Sequence, residues 1–211
     1  HVIVLTDADL STHLGQVGLL VDPILNQGKD VAIGSRREVY SIVVKQGTRN
    51  VRGKLFIYLW KRMLSPALSE VVDTQCGFKG FRASKVKAVV EDCLEYGFAF
   101  DVELLLKSEL QNSRGIAKSA IAWIDSEAES TTTALSPYLN MLKSIAAMSR
   151  KYLPAQESGN AFALLVESLD EENWNRLVDR TPSAIANGDP LTFEEFSGVS
   201  ADDLRALLSD N

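Results

Sequence analysis

Short apolar runs alternate with helical patterns along the first part of the chain. Val2–Leu5 is a β-branched run that ends in polar residues, which predicts a buried strand. Residues 14–25 carry apolar positions at helical spacing, and 31–34 form a second apolar run closed by Ser35. The order strand, helix, strand predicts a βαβ unit in a parallel sheet. In such sheets ligands bind at the carboxyl ends of the strands.

The pattern continues as an α/β arrangement up to residue 153. We predict a cation-rich loop over 40–53, helices over 54–68, 86–94, 100–111 and 136–152, and strands within 73–82 and 116–124. The helix over 54–68 is apolar on more than one face and bracketed by cations. Helices at a lipid interface and buried helices both look like this, and the pattern favours the buried one.

The character of the chain changes after Pro154. Short acidic helices are predicted over 162–169, 171–178, 192–196 and 201–208. Residues 154–211 hold 12 acidic and 3 basic residues, whereas residues 1–153 hold 16 acidic and 19 basic ones. We therefore predict a body over 1–153 and an acidic helical appendage over 154–211. The appendage would pack on the body or bind a protein partner, including a second copy of the chain.

Composition excludes several classes of protein. The 211 residues are 45% hydrophobic and 24% charged, which is typical of a globular protein. A net charge of −6 argues against a general nucleic-acid binder. Cys76 and Cys93 have no CxxC spacing, so we expect neither a disulfide framework nor a zinc site, and we predict a cytoplasmic location. No apolar run approaches the roughly 18 residues of a membrane span.

Asp7-Ala8-Asp9, directly after the first predicted strand, is the strongest chemical signal. At an extended strand end, residues two apart point the same way, so both carboxylates would face one spot. Such charges repel each other unless a cation lies between them or one is protonated. Oxygen-only ligands favour Mg²⁺ or Mn²⁺, with substrate phosphates completing the coordination. A solvated turn in which Asp9 caps the next helix explains the tripeptide equally well.

The same segment resembles the first motif of haloacid-dehalogenase-type phosphatases. Asp7 would then be the nucleophile that attacks phosphorus, and Ser35 would imitate the second motif. Such an enzyme also needs a later Lys and an acidic pair after an apolar strand. Asp202-Asp203 is the pair of the right kind, but it lies at a predicted helix start. The phosphatase hypothesis is therefore incomplete.

Four segments together carry a more specific resemblance. They are Leu5–Thr12, Val31–Arg37, Asp73–Lys79 and Phe98–Leu105, in this order. The series resembles the inverting family 2 glycosyltransferases of GT-A fold, and it is most similar to the dolichyl- or polyprenyl-phosphate glucosyltransferases and mannosyltransferases. The resemblance extends over the first 152 residues, and the run at 73–79 is its most specific part. It implies a Rossmann-like, mostly parallel sheet with flanking helices.

The resemblance assigns the metal and phosphate roles. Asp7 and Asp9 would bind Mg²⁺ or Mn²⁺ on the donor diphosphate, with Asp9 the more direct ligand. Arg36, with Arg49 or Arg52 from the following loop, would hold the donor diphosphate or the lipid phosphate. A guanidinium suits this role because its fork matches phosphate geometry and it stays charged. A solvated surface is the plain alternative for Arg49 and Arg52.

The resemblance also assigns the groups around the reacting carbon. Asp73 and Asp101 are the candidate catalytic carboxylates, and Gln75 would orient the substrate. Lys79 would pair with a phosphate or with Asp73. Asp101 or Glu103 would alternatively cap the helix that begins there, with Glu103 otherwise on the substrate side. A lipid phosphate is mostly a nucleophile at pH 7, so its enzyme needs positioning and charge neutralisation more than a base.

The chain departs from the family pattern at its start. A GT-A domain of this family opens with a strand and a Pro-x-Tyr-Asn-Glu-like segment that grips the nucleotide, and nothing of the kind precedes His1. We therefore expect that the chain lacks the N-terminal nucleotide-binding half. These 211 residues would then have no transferase activity alone and weak or no nucleotide binding. The acidic segment 154–211 has no counterpart in the family pattern.

Three functional hypotheses follow. The first is metal-dependent, inverting transfer of a hexose from a nucleotide sugar of the UDP-glucose or GDP-mannose type to a polyprenyl or dolichyl phosphate. It places the protein in the cytoplasm, with peripheral contact at the membrane face. The second is the phosphatase with Asp7 as nucleophile. The third is a non-catalytic, glycosyltransferase-like binding module that acts through the acidic helices.

Overall fold

The computed structural model of the chain describes residues 1–44, 51–125, 136–193 and 198–209. Its described residues divide into two units. The first contains residues 1–44, 70–96 and 100–125, and the second contains residues 51–69, 97–99, 136–193 and 198–209. All the strands found in these residues belong to the first unit, whereas the second unit is helical.

Strands and helices are interspersed along the chain as far as β6, and helices follow from there in the described residues. The strands are β1 (Val2–Thr6), β2 (Val31–Ser35), β3 (Ile42–Val44), β4 (Phe78–Arg82), β5 (Ile116–Ala120) and β6 (Ala122–Ile124). The helices are α1 (Gly18–Asn26), α2 (Val51–Leu64), α3 (Ala83–Val90), α4 (Phe100–Gln111), α5 (Ser136–Tyr152), α6 (Glu157–Ser168), α7 (Glu171–Asp179), α8 (Ser183–Ala186) and α9 (Ala201–Ser209). Single 3₁₀ turns lie at Leu14–Gln16 and Pro190–Thr192.

The main sheet of the first unit has the strand order β1-β4-β2-β5. β4 is antiparallel to both β1 and β2, and β2 is parallel to β5. β1 and β2 therefore run in the same direction, as the predicted βαβ unit requires, but β4 lies between them. This confirms an α/β class with a small sheet flanked by helices, compatible with part of a Rossmann-like fold.

Both faces of the sheet pack against helices. Residues along β4 alternate between these two faces, so neighbouring residues of this strand contact different helices. On one face, a Cβ added to Gly80 would lie 3.1 Å from Leu20 and 3.2 Å from Ile24, so α1 approaches the strand closely there. On the other face, Phe81 lines a small cavity with Val89 of α3 and Ser108 of α4. Lys79, two residues before Phe81, lies on this second face.

Several predicted boundaries differ from those in the structure. Helix 100–111 and helix 136–152 are confirmed, whereas the helix predicted over 54–68 begins at Val51 and ends at Leu64. The strand predicted over 116–124 is divided into β5 and β6, and β6 pairs in parallel with β3, which lies inside the predicted loop over 40–53. β3 was missed because its partner β6 lies far away along the chain. The predicted helix over 192–196 lies partly outside the described residues.

In the second unit, α2 lies in the middle of the helices. Tyr58 is fully buried and its hydroxyl donates to the backbone oxygen of Val199. The Tyr58 ring also meets the rings of Phe162 and Phe193 edge to face, with centroids 6.0 and 5.4 Å away. Seven further residues of α2 are buried: Leu55, Phe56, Leu59, Trp60, Lys61, Met63 and Leu64. α2 is therefore a buried helix and not an interfacial one.

The structure does not divide the chain at the predicted boundary between 153 and 154. α2 and α5, which belong to the predicted body, form one unit with α6 to α9 of the predicted appendage. The Ser149 hydroxyl of α5 donates to the Met63 carbonyl oxygen of α2 at 2.8 Å. The acidic helices thus complete a hydrophobic core instead of extending from a finished domain.

None of the described helices has the length and apolar character that crossing a membrane requires.

The packing of α6 on α2 predicts opposite effects for two glycine substitutions. A Cβ at Gly159 would lie 2.8 Å from the Met63 carbonyl oxygen, whereas a Cβ at Gly53 would meet nothing within 4 Å. Gly159→Ala should destabilise the second unit by about 1–3 kcal/mol through overpacking. Gly53→Ala should stabilise it by up to about 1 kcal/mol through helix propensity. Urea unfolding followed by helical circular dichroism measures both, and equal effects would contradict the close approach.

Candidate active site at the end of the sheet

Asp7 lies directly after β1, against the segment that leads into β4. Its backbone N–H donates to the Gly77 carbonyl oxygen at 3.0 Å. A Cβ built on Gly77 would lie 2.0–2.1 Å from the Asp7 carboxyl atoms, so this carboxylate occupies the space that a side chain at position 77 would need. Asp7 is nevertheless exposed to solvent. The glycine therefore gives an accessible carboxylate a fixed place at the end of the sheet.

Asp9 has a different environment from the one predicted for an extended strand end. β1 ends at Thr6, and Ala8 and Asp9 form a turn. The Asp9 carboxylate accepts from the Ser11 N–H at 2.9 Å and from the Ser11 hydroxyl at 2.8 Å. The argument from alternating strand positions is thus wrong in its geometry, because the chain turns between the two aspartates. Asp9 is held by the turn itself.

Arg36 and Asp73 form the best-defined ion pair of the site. The Asp73 carboxylate accepts from the Arg36 Nε at 2.8 Å, from Nη2 at 2.6 Å and from the backbone N–H at 2.8 Å. The Arg36 Cζ also lies 5.1 Å from the centroid of the Trp123 ring. Asp73 takes up two of the five guanidinium N–H groups, and the Arg36 side chain remains 28% exposed. The guanidinium is therefore fixed in orientation while part of it is open to solvent.

The pair shifts the pKa of both partners. Burial by itself would raise the pKa of Asp73, but the hydrogen bonds and charge of Arg36 outweigh it and hold that pKa below its ordinary value. Burial would lower the pKa of Arg36, and the hydrogen bond and charge of Asp73, with a smaller effect from Asp7, raise it instead. The Asp73 carboxylate is thus ionised, and both of its oxygens accept hydrogen bonds from Arg36. These contacts favour a positioning role over a catalytic one.

Lys79 and Asp101 form a second pair inside the first unit. Lys79 lies on β4 opposite Leu5 of β1 and Ile33 of β2, and it is 1% exposed. Its Nζ donates to Asp101 Oδ2 at 2.6 Å and to the Cys76 carbonyl oxygen. Burial raises the pKa of Asp101, and the Lys79 ammonium offsets part of that rise. Lys79 therefore pairs with Asp101 and not with Asp73.

Two neighbours in the 73–79 segment complete this cluster. Gln75 Nε2 lies 3.5 Å from Asp101 Oδ1, at the long end of hydrogen bonding. Cys76 is buried, and its burial raises the pKa of the thiol to about 11. A thiol with that pKa is protonated at neutral pH, which agrees with the prediction that Cys76 is a packed residue and not a nucleophile.

Glu103 is fully buried in the first turn of α4. Its carboxylate accepts from the backbone N–H of Leu94 at 2.8 and 2.9 Å and from that of Glu95 at 2.8 Å. These bonds hold the chain that leads towards α4. The role of Glu103 is therefore structural, but these bonds go to the segment before α4 and do not cap that helix as predicted. The buried carboxylate has no exposed atom with which to bind a substrate.

The structure does not test the two remaining predicted phosphate ligands. Arg52 lies in α2, which belongs to the second unit. Arg49 lies outside the described residues. The first unit brings together Asp7, Arg36, Asp73, Gln75, Lys79 and Asp101. Asp9 follows in the turn after Asp7, and Glu103 holds the segment before α4.

Ser35, Asp202 and Asp203, which the phosphatase hypothesis requires, make hydrogen bonds or ion pairs with residues close to them in sequence. Ser35 is buried and its hydroxyl accepts from the Arg37 N–H at 3.2 Å. Asp203 accepts from the Ser200 N–H and hydroxyl at the start of α9, and Asp202 pairs with Arg205 one turn later. The acidic pair thus caps a helix instead of following a strand, and the structure does not favour a haloacid-dehalogenase-type site.

Three contributors to the site were missed by sequence reasoning. They are Gly77, which makes room for Asp7, Ser11, which holds Asp9, and Trp123, which lies beside Arg36. Gly77 and Ser11 fall inside the motif segments, so their positions were visible in the sequence. Trp123 carried no signal because it lies 87 positions after Arg36.

The carboxylates of Asp7 and Asp9 are the type of ligand that a hard divalent cation such as Mg²⁺ prefers. Both offer oxygen atoms only, and Mg²⁺ is commonly held by one or two carboxylates together with substrate phosphates. In the part of the chain that the structure describes, no third acidic, histidine or cysteine ligand joins them. Phosphate and water oxygens would therefore have to supply the rest of the coordination.

Comparison with known proteins gives one informative similarity. No protein-family model matches the chain. Over 121 residues, or 57% of the chain, it is 26% identical to the Glycosyltransferase AglD of Haloferax volcanii. The chain is similar to a glycosyltransferase. The matched region spans 19% of the length of AglD. The similarity therefore supports a relationship with glycosyltransferases in general and does not identify a donor or an acceptor.

The shifted pKa of Asp73 predicts a pH-dependent effect of Arg36→Met. In the unaltered protein the low pKa of Asp73 contributes stability above about pH 4, and this is lost as pH falls through that pKa. Without Arg36, burial raises the pKa of Asp73, so the variant gains relative stability as Asp73 becomes protonated. The difference in unfolding free energy between the two proteins should therefore shrink from pH 7 to pH 3 in urea titrations.

The matched control carries Asp73→Asn in both proteins. Arg36→Met should then change stability by an amount that depends much less on pH over the same range, because only the smaller effect of the Asp7 charge on Arg36 remains. A pH-independent difference in the presence of Asp73, or an undiminished pH dependence in its absence, would contradict the assigned pair.

Proposed function

We propose that the protein transfers a hexose from a nucleotide sugar of the UDP-glucose or GDP-mannose type to a polyprenyl or dolichyl phosphate, with inversion and with help from a divalent cation. The observation that carries the proposal is the cluster at the end of the sheet. The segments around Asp7, Arg36, Asp73 and Asp101 are far apart in sequence and meet there. The 26% identity to a glycosyltransferase supports the same reaction class.

Arg36 is the proposed anion-binding group. Its guanidinium is oriented by Asp73 and Trp123 and stays partly exposed, so it can donate to a phosphate oxygen without first being ordered. A preoriented cation stabilises the charge that develops on the departing diphosphate. In this proposal Asp73 is a positioning residue that acts through Arg36.

Asp7 and Asp9 are the proposed ligands of Mg²⁺ or Mn²⁺. When bound, such an ion supplies Lewis-acid stabilisation to the leaving diphosphate. Asp7 presents an exposed carboxylate held over Gly77, and Ser11 holds the carboxylate of Asp9 within the turn. The two residues are thus fixed before any substrate arrives.

Asp101 is the proposed carboxylate beside the reacting carbon, with Lys79 and Gln75 as its supports. Its side chain is 13% exposed and is oriented by Lys79. A lipid phosphate with a second pKa near 6 needs little proton removal at neutral pH. Asp101 would therefore orient the acceptor and balance charge, and Lys79 would keep that carboxylate in place.

The proposal predicts a graded set of losses in the natural full-length protein. Asp9→Asn should lower transfer from a radiolabelled nucleotide sugar to polyprenyl phosphate by about a hundredfold or more, because a metal ligand is lost. Gly77→Ala should lower transfer and raise the Mn²⁺ concentration for half-maximal activity, because the new methyl group displaces the Asp7 carboxylate. Product extracted into organic solvent is the readout.

Gly18→Ala is the matched control, because a Cβ there meets nothing within 4 Å in the same unit. It should retain activity and Mn²⁺ dependence. Transfer that persists in Asp9→Asn would refute the metal role. If the unaltered protein shows no transfer with any donor and acceptor of these classes, and the acidic helices retain a protein partner, the non-catalytic binding module replaces the enzyme.

A further inference from the structure

The peptide bond between Ser35 and Arg36 is held on both sides. Its N–H, which belongs to Arg36, donates to Asp73 Oδ2 at 2.8 Å. Its carbonyl oxygen, which belongs to Ser35, accepts from the Ser41 hydroxyl at 2.6 Å. Ser35 is 2% exposed, so water has little access with which to replace these bonds. The backbone from which the Arg36 side chain extends is therefore fixed in orientation.

Ser41 connects this peptide bond to the sheet of β3 and β6. Its hydroxyl also accepts from the N–H of Ile121, which lies between β5 and β6, at 3.2 Å. The Ile121 carbonyl oxygen in turn accepts from the Ile42 N–H at 2.9 Å. The Ser41 N–H donates to the Glu38 carbonyl oxygen at 3.0 Å, which closes the turn that follows Arg36. A single hydroxyl group thus joins the end of β2 to the beginning of the small sheet.

The same small sheet supplies the ring that lies beside the guanidinium. Trp123 of β6 is in register with Val43 of β3, and the Arg36 Cζ lies 5.1 Å from the centroid of its ring. Trp123 is partly buried and packs against the hydrophobic core of the first unit, which restricts the movement of the ring. Arg36 is therefore constrained at two points, at its backbone through the Ser41 hydroxyl and at its side chain through the Trp123 ring.

These contacts leave one set of guanidinium donors for a ligand. Nε and one N–H of Nη2 donate to Asp73, whereas no hydrogen bond from Nη1 is found within the described part of the chain. Of the three remaining N–H groups, one on Nη1 and one on Nη2 point in the same direction, which suits two oxygens of one phosphate group. The Arg36 side chain is 28% exposed, so part of it is accessible to an anion.

We propose that Ser41 is a positioning residue for anion binding, which acts through the Ser35 carbonyl oxygen and together with Trp123 to hold the Arg36 guanidinium ready to bind a phosphate group. The inference rests on the proposed function only in that the phosphate would belong to the donor diphosphate. A flexible arginine loses rotational freedom when it binds a ligand, and a side chain that is already ordered avoids that loss. Removal of the Ser41 hydroxyl should therefore weaken anion binding, although this hydroxyl is bonded to the backbone and not to the anion.

A titration of the 211-residue chain with inorganic pyrophosphate, followed by NMR of the Arg36 Nε–H, tests the position of the guanidinium and its anion binding together. Arg36→Lys assigns the signal by removing it. In the unaltered chain the Nε–H should have a high order parameter and should shift when pyrophosphate is added. Ser41→Ala should lower that order parameter and raise the dissociation constant for pyrophosphate about threefold to tenfold, because a hydrogen bond that orders Arg36 is lost. Ser41→Thr retains a hydroxyl and should restore both values.

Ser119→Ala is the matched control, because the Ser119 hydroxyl also donates to a backbone oxygen in the first unit, that of Leu19 at 2.7 Å. It should leave the order parameter and the affinity unchanged. Circular dichroism verifies folding, and if Ser41→Ala is misfolded, Ser41→Cys replaces it, since a thiol is a weak donor and acceptor. Trp123→Leu should also weaken pyrophosphate binding. An unchanged order parameter or affinity in the folded Ser41 variant, or no pyrophosphate binding by the unaltered chain, would overturn the proposal.

Kinetics of the natural full-length protein separate this inference from the proposed function. Ser41→Ala should lower kcat/KM for sugar transfer by a factor similar to its effect on pyrophosphate affinity, whereas Ser41→Thr and Ser119→Ala should retain kcat/KM. Transfer with an unchanged kcat/KM in Ser41→Ala would overturn the positioning role and leave the proposed function standing. No transfer by the unaltered protein, together with pyrophosphate binding that depends on Ser41, would refute the proposed function and leave the positioning role standing.

Discussion

A buried ammonium in the middle of the sheet constrains most of the first unit. Lys79 lies on the strand between β1 and β2, and its Nζ lies within hydrogen-bond distance of Asp101 in α4 and of the Cys76 carbonyl oxygen. A charge buried to this extent is costly unless it is paired and hydrogen-bonded. The sheet, the start of α4 and the 73–79 segment must therefore take up compatible positions. The same requirement brings the carboxylate of Asp101 to the end of the sheet at which Asp7 and Arg36 lie.

The charged residues at this end of the sheet divide into two groups. Asp73 and Lys79 are buried and satisfied by protein partners, so they fix other groups in place. Asp7 and part of Arg36 are open to solvent, and they are the groups suited to meet a substrate or a cation. A preorganised cation and an accessible carboxylate suit a reaction in which negative charge develops on a departing group, and this agrees with the similarity to a glycosyltransferase.

Local signals in the sequence predicted the helices over 100–111 and 136–152 and the apolar strands, because capping residues and apolar periodicity are read within one segment. The position of β4 between β1 and β2 was not predictable, since antiparallel pairing with two distant strands leaves no local pattern. The pairing of Arg36 with Asp73, 37 positions away, was missed for the same reason. The expectation that Asp7 and Asp9 point the same way was wrong because the chain turns after Thr6. The acidic helices looked like a separate segment because their charged residues are exposed, whereas their apolar residues such as Trp174 and Leu204 are buried.

The claim that Lys79 and Asp101 act as one structural unit is tested most directly by a double-mutant cycle with Lys79→Met and Asp101→Leu. Each single variant leaves one buried charge unpaired and should cost about 3–5 kcal/mol of unfolding free energy, whereas the double variant removes both charges and should cost much less than the sum. Urea unfolding followed through the β4 amide signals measures all four proteins in the first unit. Single effects that add to within about 0.5 kcal/mol in the double variant would contradict the pair.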